Sequence, residues 1–254
     1  MQLIHAFARY ANPSQRPAVC TIGSFDGVHV GHQQLIRTVV SEAHTHAAQS
    51  IVITFHPHPR EVLGAGAGPP MRYLTTPDEQ AEQMRALGID TLLLLPFTVE
   101  TSRTPAIVFV EHMLAHLRML HLWIGPDFAL GYKRQGNAAY LAEQGRVHGF
   151  AVNIMPQLSL GDAPVSSSRI RAALARGDVR AANLCLGRAF AVLARRHDAY
   201  TAHIHPSHAL PAAGRYPALV QGRADEVTVA GDSIIFSQAL CDDVGGDTVK
   251  VEFV

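Results

Sequence analysis

One stretch near the start of the chain, Gly23-Ser24-Phe25-Asp26-Gly27-Val28-His29-Val30-Gly31-His32, gathers the residue types that handle phosphate. Gly23, Gly27 and Gly31 permit close backbone approach or a positive φ. Gly31-His32 falls where a helix should begin, so free N–H groups and the helix dipole would face an anion. His29 and His32 add two imidazoles. The stretch is not a P-loop, because no Lys-Ser/Thr follows the glycines, and it lacks the three spaced glycines of a dinucleotide fingerprint. The bland alternative is a tight turn with two surface histidines, and the strand-to-helix context argues against it.

That context comes from hydrophobic periodicity. Ala18–Ile22 reads as a buried strand; Leu35, Ile36, Val39, Val40 and Ala43 fall on one helical stripe; Ser50–Phe55 reads as a second strand. The phosphate-handling stretch therefore lies at the carboxyl end of a strand, where open parallel sheets bind ligands. The alternation continues with a capped helix from Thr76-Pro77, a strand over Thr91–Leu95, a helix from Thr104-Pro105 towards Leu120, a strand over His121–Gly125, a helix over Asn137–His148 and a strand over Phe150–Met155. Five strands alternating with helices predict an α/β domain with a parallel sheet. Two helical segments follow, from Ser166 to Arg176 and, after Gly177-Asp178, on to Leu186-Gly187. Beyond Gly187, short strands at Ala191–Arg195, Tyr216–Val220, Glu226–Val229, Ser233–Phe236 and Val249–Val254 predict a small all-β module. The expected domains are residues 1–187 and 188–254.

Composition bounds the function. The 254 residues are 48% hydrophobic and 17% charged, which excludes a disordered or fibrous chain. Lys+Arg 21 balances Asp+Glu 21, so no general attraction for nucleic acid or anionic membrane exists and phosphate chemistry must rest on local groups. Three cysteines, Cys20, Cys185 and Cys241, lie far apart without Cys-x-x-Cys spacing, which argues against a disulfide framework or a cysteine zinc site. The first residues lack a basic segment followed by an apolar one, and Leu92–Leu95 is too short to cross a bilayer. The expectation is a cytoplasmic protein with neither nucleic-acid nor membrane partners.

The first stretch resembles the His-x-Gly-His motif of the nucleotidylyltransferase superfamily. Its longer form, Gly-x-Phe-Asp-Gly-x-His-x-Gly-His, is similar to bacterial FAD synthetases, the adenylyltransferase half of bifunctional riboflavin kinase/FMN adenylyltransferases. Thr54-Phe55-His56-Pro57-His58-Pro59 resembles that family's Thr-Phe-x-Pro-His-Pro stretch, Gly125-Pro126-Asp127-Phe128 with Gly131 its flavin-side loop, and Val165-Ser166-Ser167-Ser168-Arg169-Ile170-Arg171 its Ile-Ser-Ser-Thr-x-Ile-Arg segment. The resemblance covers most of residues 15 to 190.

It implies a Rossmann-like nucleotidylyltransferase domain with a parallel sheet, followed by a small, shortened barrel-like β domain. It also implies transfer of the adenylyl group of ATP, with Mg2+, to FMN. His29, His32 and Arg171 would act on the phosphates. Gly23, Ser24, Phe25, Asp26, Gly27, Gly31, Ser167 and Ser168 would bind ATP, and His56, Pro57, Pro59, Asp127 and Phe128 would lie on the flavin side. For His56-Pro57-His58-Pro59 the plain alternative is a turn ending a strand, and the substrate side is favoured because the loop follows a second parallel strand; read without the family, Asp127 is equally a turn former or helix cap. Ala129 and Leu130 depart from the family's usual Arg and aromatic residue, which keeps open transfer to another phosphorylated small molecule. A non-catalytic flavin- or nucleotide-binding protein is the rival from another class.

The second module fits the family less well. The family carries a glycine-rich loop and a Pro-Thr-Ala-Asn motif after Leu-Gly-Arg. Here Leu186-Gly187-Arg188 is followed by no glycine before Gly214, and His203-Ile204-His205-Pro206-Ser207-His208 occupies the region. Cradling phosphate without glycine is hard, so the expectation is a shortened barrel without riboflavin kinase activity. His203, His205 and His208 suggest a metal, but no fourth ligand is evident. His44 and His46 are spaced wrongly for one helix face and read as solvated. Gly64–Pro70 reads as a mobile loop.

Overall fold

A computed structural model describes residues 1–10, 15–64, 70–240 and 247–254. Residues 65–69 of the glycine-rich loop, and Cys241, fall outside that description. The chain divides into two compact units: Met1–Met71 with Pro77–Leu158, and Arg72–Thr76 with Ser159–Val254.

The first unit is built from β1 (Gln2–Ile4), β2 (Ala18–Ile22), α1 (Val30–Thr45), β3 (Gln49–His56), α2 (Pro59–Leu63), α3 (Pro77–Ala86), β4 (Thr91–Pro96), α4 (Val99–Ser102), α5 (Ala106–His116), β5 (Met119–Ile124), β6 (Ala129–Leu130), β7 (Gly136–Asn137), α6 (Ala138–His148) and β8 (Ala151–Ile154). Six strands form one sheet in the order β1-β4-β3-β2-β5-β8. All of its pairings are parallel. The sequence predicts five of them; β1 is three residues long and two of those are exposed, so its apolar signal is too weak to read.

Strand alternation sorts the core into two layers. Cys20, Ile22, Ile51, Ile53 and Leu93 pack with Val110 and Met113 of α5 and Leu141 of α6. Val19, Val52 and Leu92 pack with Leu35, Ile36, Val39 and Ala43 of α1 and Met84 of α3. Helices thus cover both faces, which is why the central strands read as unbroken apolar runs. Asp90 ties β3 to the turn before β4, because its Oδ2 accepts from both the backbone N–H and the hydroxyl of Ser50, each at 2.9 Å.

The second unit holds the antiparallel pair β9 (Ser159–Leu160) and β10 (Ala163–Pro164), then α7 (Ser167–Ala175) and α8 (Val179–Leu186). Strands β11 (Phe190–Arg196), β12 (Thr201–His203), β13 (Gly214–Val220), β14 (Arg223–Ala230), β15 (Ser233–Phe236) and β16 (Thr248–Phe253) close into a barrel in the order β11-β12-β15-β14-β13-β16. Its interior is filled by alternate residues such as Val192, Ala194, Val227, Val229, Val249 and Val251. Gln221 and Gly222, both at positive φ (52° and 80°), make the two-residue turn joining β13 to β14. Asn183 of α8 pins that helix to the barrel: its amide donates to Phe253 O at 2.9 Å and its Oδ1 accepts from Phe190 N–H at 2.7 Å. Compactness therefore gathers α7 and α8 with the barrel, although the sequence groups them with the α/β segment. Among the described residues, no helix is long and apolar enough to cross a membrane.

Candidate phosphate and flavin site

The order of the large sheet creates the site. From β2 the chain builds outward through β3 and β4, then returns to the other side of β2 with β5 and β8. The reversal lies between β2 and β5, and ligands of open α/β sheets bind at the carboxyl ends of strands flanking such a reversal. Three of the four stretches singled out from the sequence follow the carboxyl ends of three adjacent strands, β2, β3 and β5.

After β2, Gly23 N–H donates to Ile53 O at 3.1 Å, fastening the loop to β3. Phe25, Asp26, Gly27, Val28 and His29 are buried, whereas Gly23, Ser24, Gly31 and His32 are partly accessible. Gly27 turns the chain at φ 81°, and Val28 follows at φ 38°. A β-branched residue in the left-handed region is costly, at about 1–3 kcal/mol, and such strain gathers at functional sites. Gln33 supports it, its side-chain amide donating to Val28 O at 3.0 Å. Neither the strain at Val28 nor the support from Gln33 is readable in the sequence, since β-branched residues carry no signal for positive φ.

His29 is the N-cap of α1. Its Nδ1 accepts from the His32 backbone N–H at 3.3 Å, so in the neutral ring the proton sits on Nε2. The two imidazoles stack at 3.6 Å between centroids with 18° between planes, and Phe25 meets the His32 ring edge-on at 5.0 Å. His32 is partly accessible as a residue, yet its Nδ1 is shielded from solvent and has no protein partner among the described residues. Burial first, and then the neighbouring His29, hold the His32 imidazole well below the usual histidine range. It is neutral at neutral pH. Two imidazoles at the positive end of a sixteen-residue helix are groups that can donate to an anion.

After β3, His56 is exposed and joined to Pro57 by a cis peptide bond. His58 caps α2 by accepting the Arg60 N–H at 3.0 Å, and Pro59 takes the first helical position. After β5, Phe128 N–H donates to Gly125 O at 3.2 Å, making Gly125-Pro126-Asp127-Phe128 a turn. Asp127 is thus an exposed turn residue and not a helix cap. Its carbonyl accepts from Arg134 at 2.7 Å, while Phe128 packs partly against the core. Leu130 is buried within the β6–β7 pair, so it contributes packing.

Ser167, Ser168 and Arg171 lie in the first two turns of α7 in the other unit. Ser166 caps that helix by accepting the Arg169 N–H at 3.2 Å. Arg169 is spent on structure, donating to the carbonyls of Leu160 and Ala163 at 3.1 and 2.6 Å. Ser167 and Arg171 are partly accessible and Ser168 is exposed. The barrel histidines do not converge: His203 bonds Ser233 Oγ at 3.0 Å, His205 bonds Ser207 Oγ at 2.7 Å, and His208 is buried. They form no three-ligand cluster among the described residues.

Comparison with known proteins gives the family of the chain and a likeness of its fold. Curated relatives named bifunctional riboflavin kinase/FMN adenylyltransferase include that of Listeria monocytogenes, 35% identical over 171 residues, which cover 66% of this chain and 53% of the relative. Those of Pseudomonas fluorescens and Escherichia coli K12 are 34% and 31% identical over 196 residues, covering 77% of this chain and 62% of each relative. The chain thus spans less than two thirds of their length. A crystal structure described as a macrolide-efflux protein from Streptococcus pneumoniae matches with a TM-score of 0.81 at 23% identity, covering 99% of this chain and 88% of that one, a likeness of fold. Residues 11–169 match the model of the FAD synthetase family, and the chain belongs to that family.

Proposed function

We propose that this protein transfers the adenylyl group of ATP to FMN, giving FAD and pyrophosphate. The observation that carries the reading is the stacked His29–His32 pair at the N-terminus of α1, on the loop that follows β2 at the reversal of the sheet. A phosphate oxygen of FMN attacks the α-phosphorus of ATP, a new P–O bond forms, and the bond to the bridging oxygen breaks as pyrophosphate leaves. No covalent intermediate with the protein is needed, so the protein's work is to align two anions and offset developing charge.

His29 and His32, with the N–H groups at the start of α1, receive the phosphates, and for Ser167, Ser168 and Arg171 of α7 the family resemblance alone supports a role in binding ATP. Because His32 is neutral in the protein, the approach of phosphate charge favours its protonated form, which neutralises the leaving group as it departs. Gly23, Ser24, Phe25, Asp26, Gly27 and Gly31 shape the ATP side, Phe25 by seating the His32 ring. His56, Pro57, Pro59, Asp127 and Phe128 lie on the flavin side. Magnesium enters with ATP as part of the substrate. The loop's donors are imidazoles and backbone groups with one carboxylate, Asp26, a set that leaves an oxygen-seeking cation mainly to the phosphates. Riboflavin kinase activity is absent in this reading, supported by the lack of glycine between Gly187 and Gly214. The functional domains are residues 1–187 and 188–254.

The test is to incubate the purified protein with ATP and magnesium, adding FMN or riboflavin, and to separate the flavins by chromatography. FAD from FMN with riboflavin unchanged is the expected result. Phosphorylated riboflavin overturns the loss of the kinase. Nucleotide binding without FAD in any tube overturns the assignment of FMN as acceptor, and release of pyrophosphate with a different phosphorylated acceptor reassigns the substrate.

A further inference from the structure

At the opposite end of α1 from the phosphate histidines, three other ligand-bearing side chains converge. Glu42 and His46 are four residues apart at the end of the helix, with His46 as its C-cap, and so share one face. His121 comes from β5. One ligand atom from each of Glu42, His46 and His121 lies within 4.8 Å of the others. Glu42 Oε1 stands 2.5 Å from His121 Nδ1, and Glu42 Oε2 accepts the indole N–H of Trp123. The His46 and His121 rings lie 5.1 Å apart. A cleft of about 600 Å³ lined by Thr38, Ser41, Glu42, Thr45, His46 and Trp123 opens the cluster to solvent.

We propose that Glu42, His46 and His121 bind a divalent transition ion of the zinc class. Two imidazole nitrogens and one carboxylate oxygen are the three-ligand set of tetrahedral zinc, and the open cleft admits a water as the fourth. Hard cations such as magnesium or calcium are disfavoured, since a single carboxylate supplies the only charged oxygen. Bonds of about 2.0–2.1 Å place tetrahedral ligand atoms roughly 3.3 Å apart. The cluster reaches that spacing if the exposed His46 ring swings inward and the Glu42–His121 contact opens slightly. Arg37 also lines the cleft, so the Glu42 carboxylate is needed to offset its like charge before a cation is held.

The alternative is that Glu42 merely satisfies the half-buried His121 and Trp123, with His46 a bystander. The two readings differ at His46, and the chain carries its own reporter. Trp123 is the single tryptophan, and its indole bonds the carboxylate that the ion would take. The experiment is a zinc titration of the full chain followed by Trp123 fluorescence, with cobalt as a second probe for a tetrahedral absorption spectrum. One equivalent should saturate the change. His46→Ala, at an exposed position, and Glu42→Gln should each weaken binding at least about tenfold, while His44→Ala leaves it unchanged. A signal that survives His46→Ala, or zinc that leaves Trp123 unaltered, overturns the proposal.

Discussion

Two stretches of this chain are rich in histidine, and they come to different ends. In the α/β unit, His29 and His32 are three residues apart across the start of a helix, which sets their rings face to face at 3.6 Å. In the barrel, the alternation that should aim His203 and His205 the same way stops at once, because β12 ends at His203. His205 falls in the following turn, each of the two bonds its own serine, and His208 turns into the interior. Residue type announces a site only where local geometry makes side chains converge; a helix start does so over three residues, and a strand does so only while it lasts.

The sharpest way to break this contrast is His32→Ala. On the proposed role of His32 as a donor to developing charge, its removal should lower kcat for FAD formation about 100- to 1000-fold with a much smaller effect on ATP binding, measured by steady-state kinetics and nucleotide titration. Equal losses in both would make His32 a binding residue only. The next effect lies in the barrel. Burial first, and then His205, press the His208 pKa to about 4. A folded value below the unfolded one of roughly 6.5 means that acid favours the unfolded chain, so the stability it contributes is present above pH 6.5 and is lost as pH falls towards 4. Denaturant melts should show a loss of about 2 kcal/mol between pH 7 and pH 5 from this group, and His208→Leu should flatten that slope.

A smaller effect separates glycines of the two regions. Gly27→Ala and Gly222→Ala each force a side chain into positive φ, at 81° and 80°, and each should cost about 1–2 kcal/mol in melts. Only Gly27→Ala should also reduce adenylyl transfer, because Gly27 shapes the turn that delivers His29. Smallest of all, His203→Ala should leave both activity and stability within about 0.5 kcal/mol of the parent, as for an exposed residue outside the site.

Much of this was legible from sequence because the central strands are covered on both faces. Ala18–Ile22 and Ser233–Phe236 are found at their expected bounds, and the helix capped by Asn137 ends at Gly149 as read. What escaped has physical causes. β1 and β12 are three-residue strands whose pairing is supplied by β4 and by β11 and β15, not by their own apolar content. The positive φ of Val28 is imposed by the loop around it. His46 is exposed, in keeping with its reading as solvated, but its nearness to Glu42, one turn back, and to His121, on a distant strand, has no local signal in the sequence. The phosphate loop was readable for the opposite reason: its residues are consecutive, so sequence and space coincide.

The closed barrel has a consequence for association. Among the described residues every strand in it has two neighbours, so none is an open edge along its whole length, and the one-sided stretches, such as residues 190–194 of β11 paired with β16 alone, are short. The parallel sheet, by contrast, ends on β1 and β8, and edges of three and four residues offer too short a template for edge-to-edge aggregation.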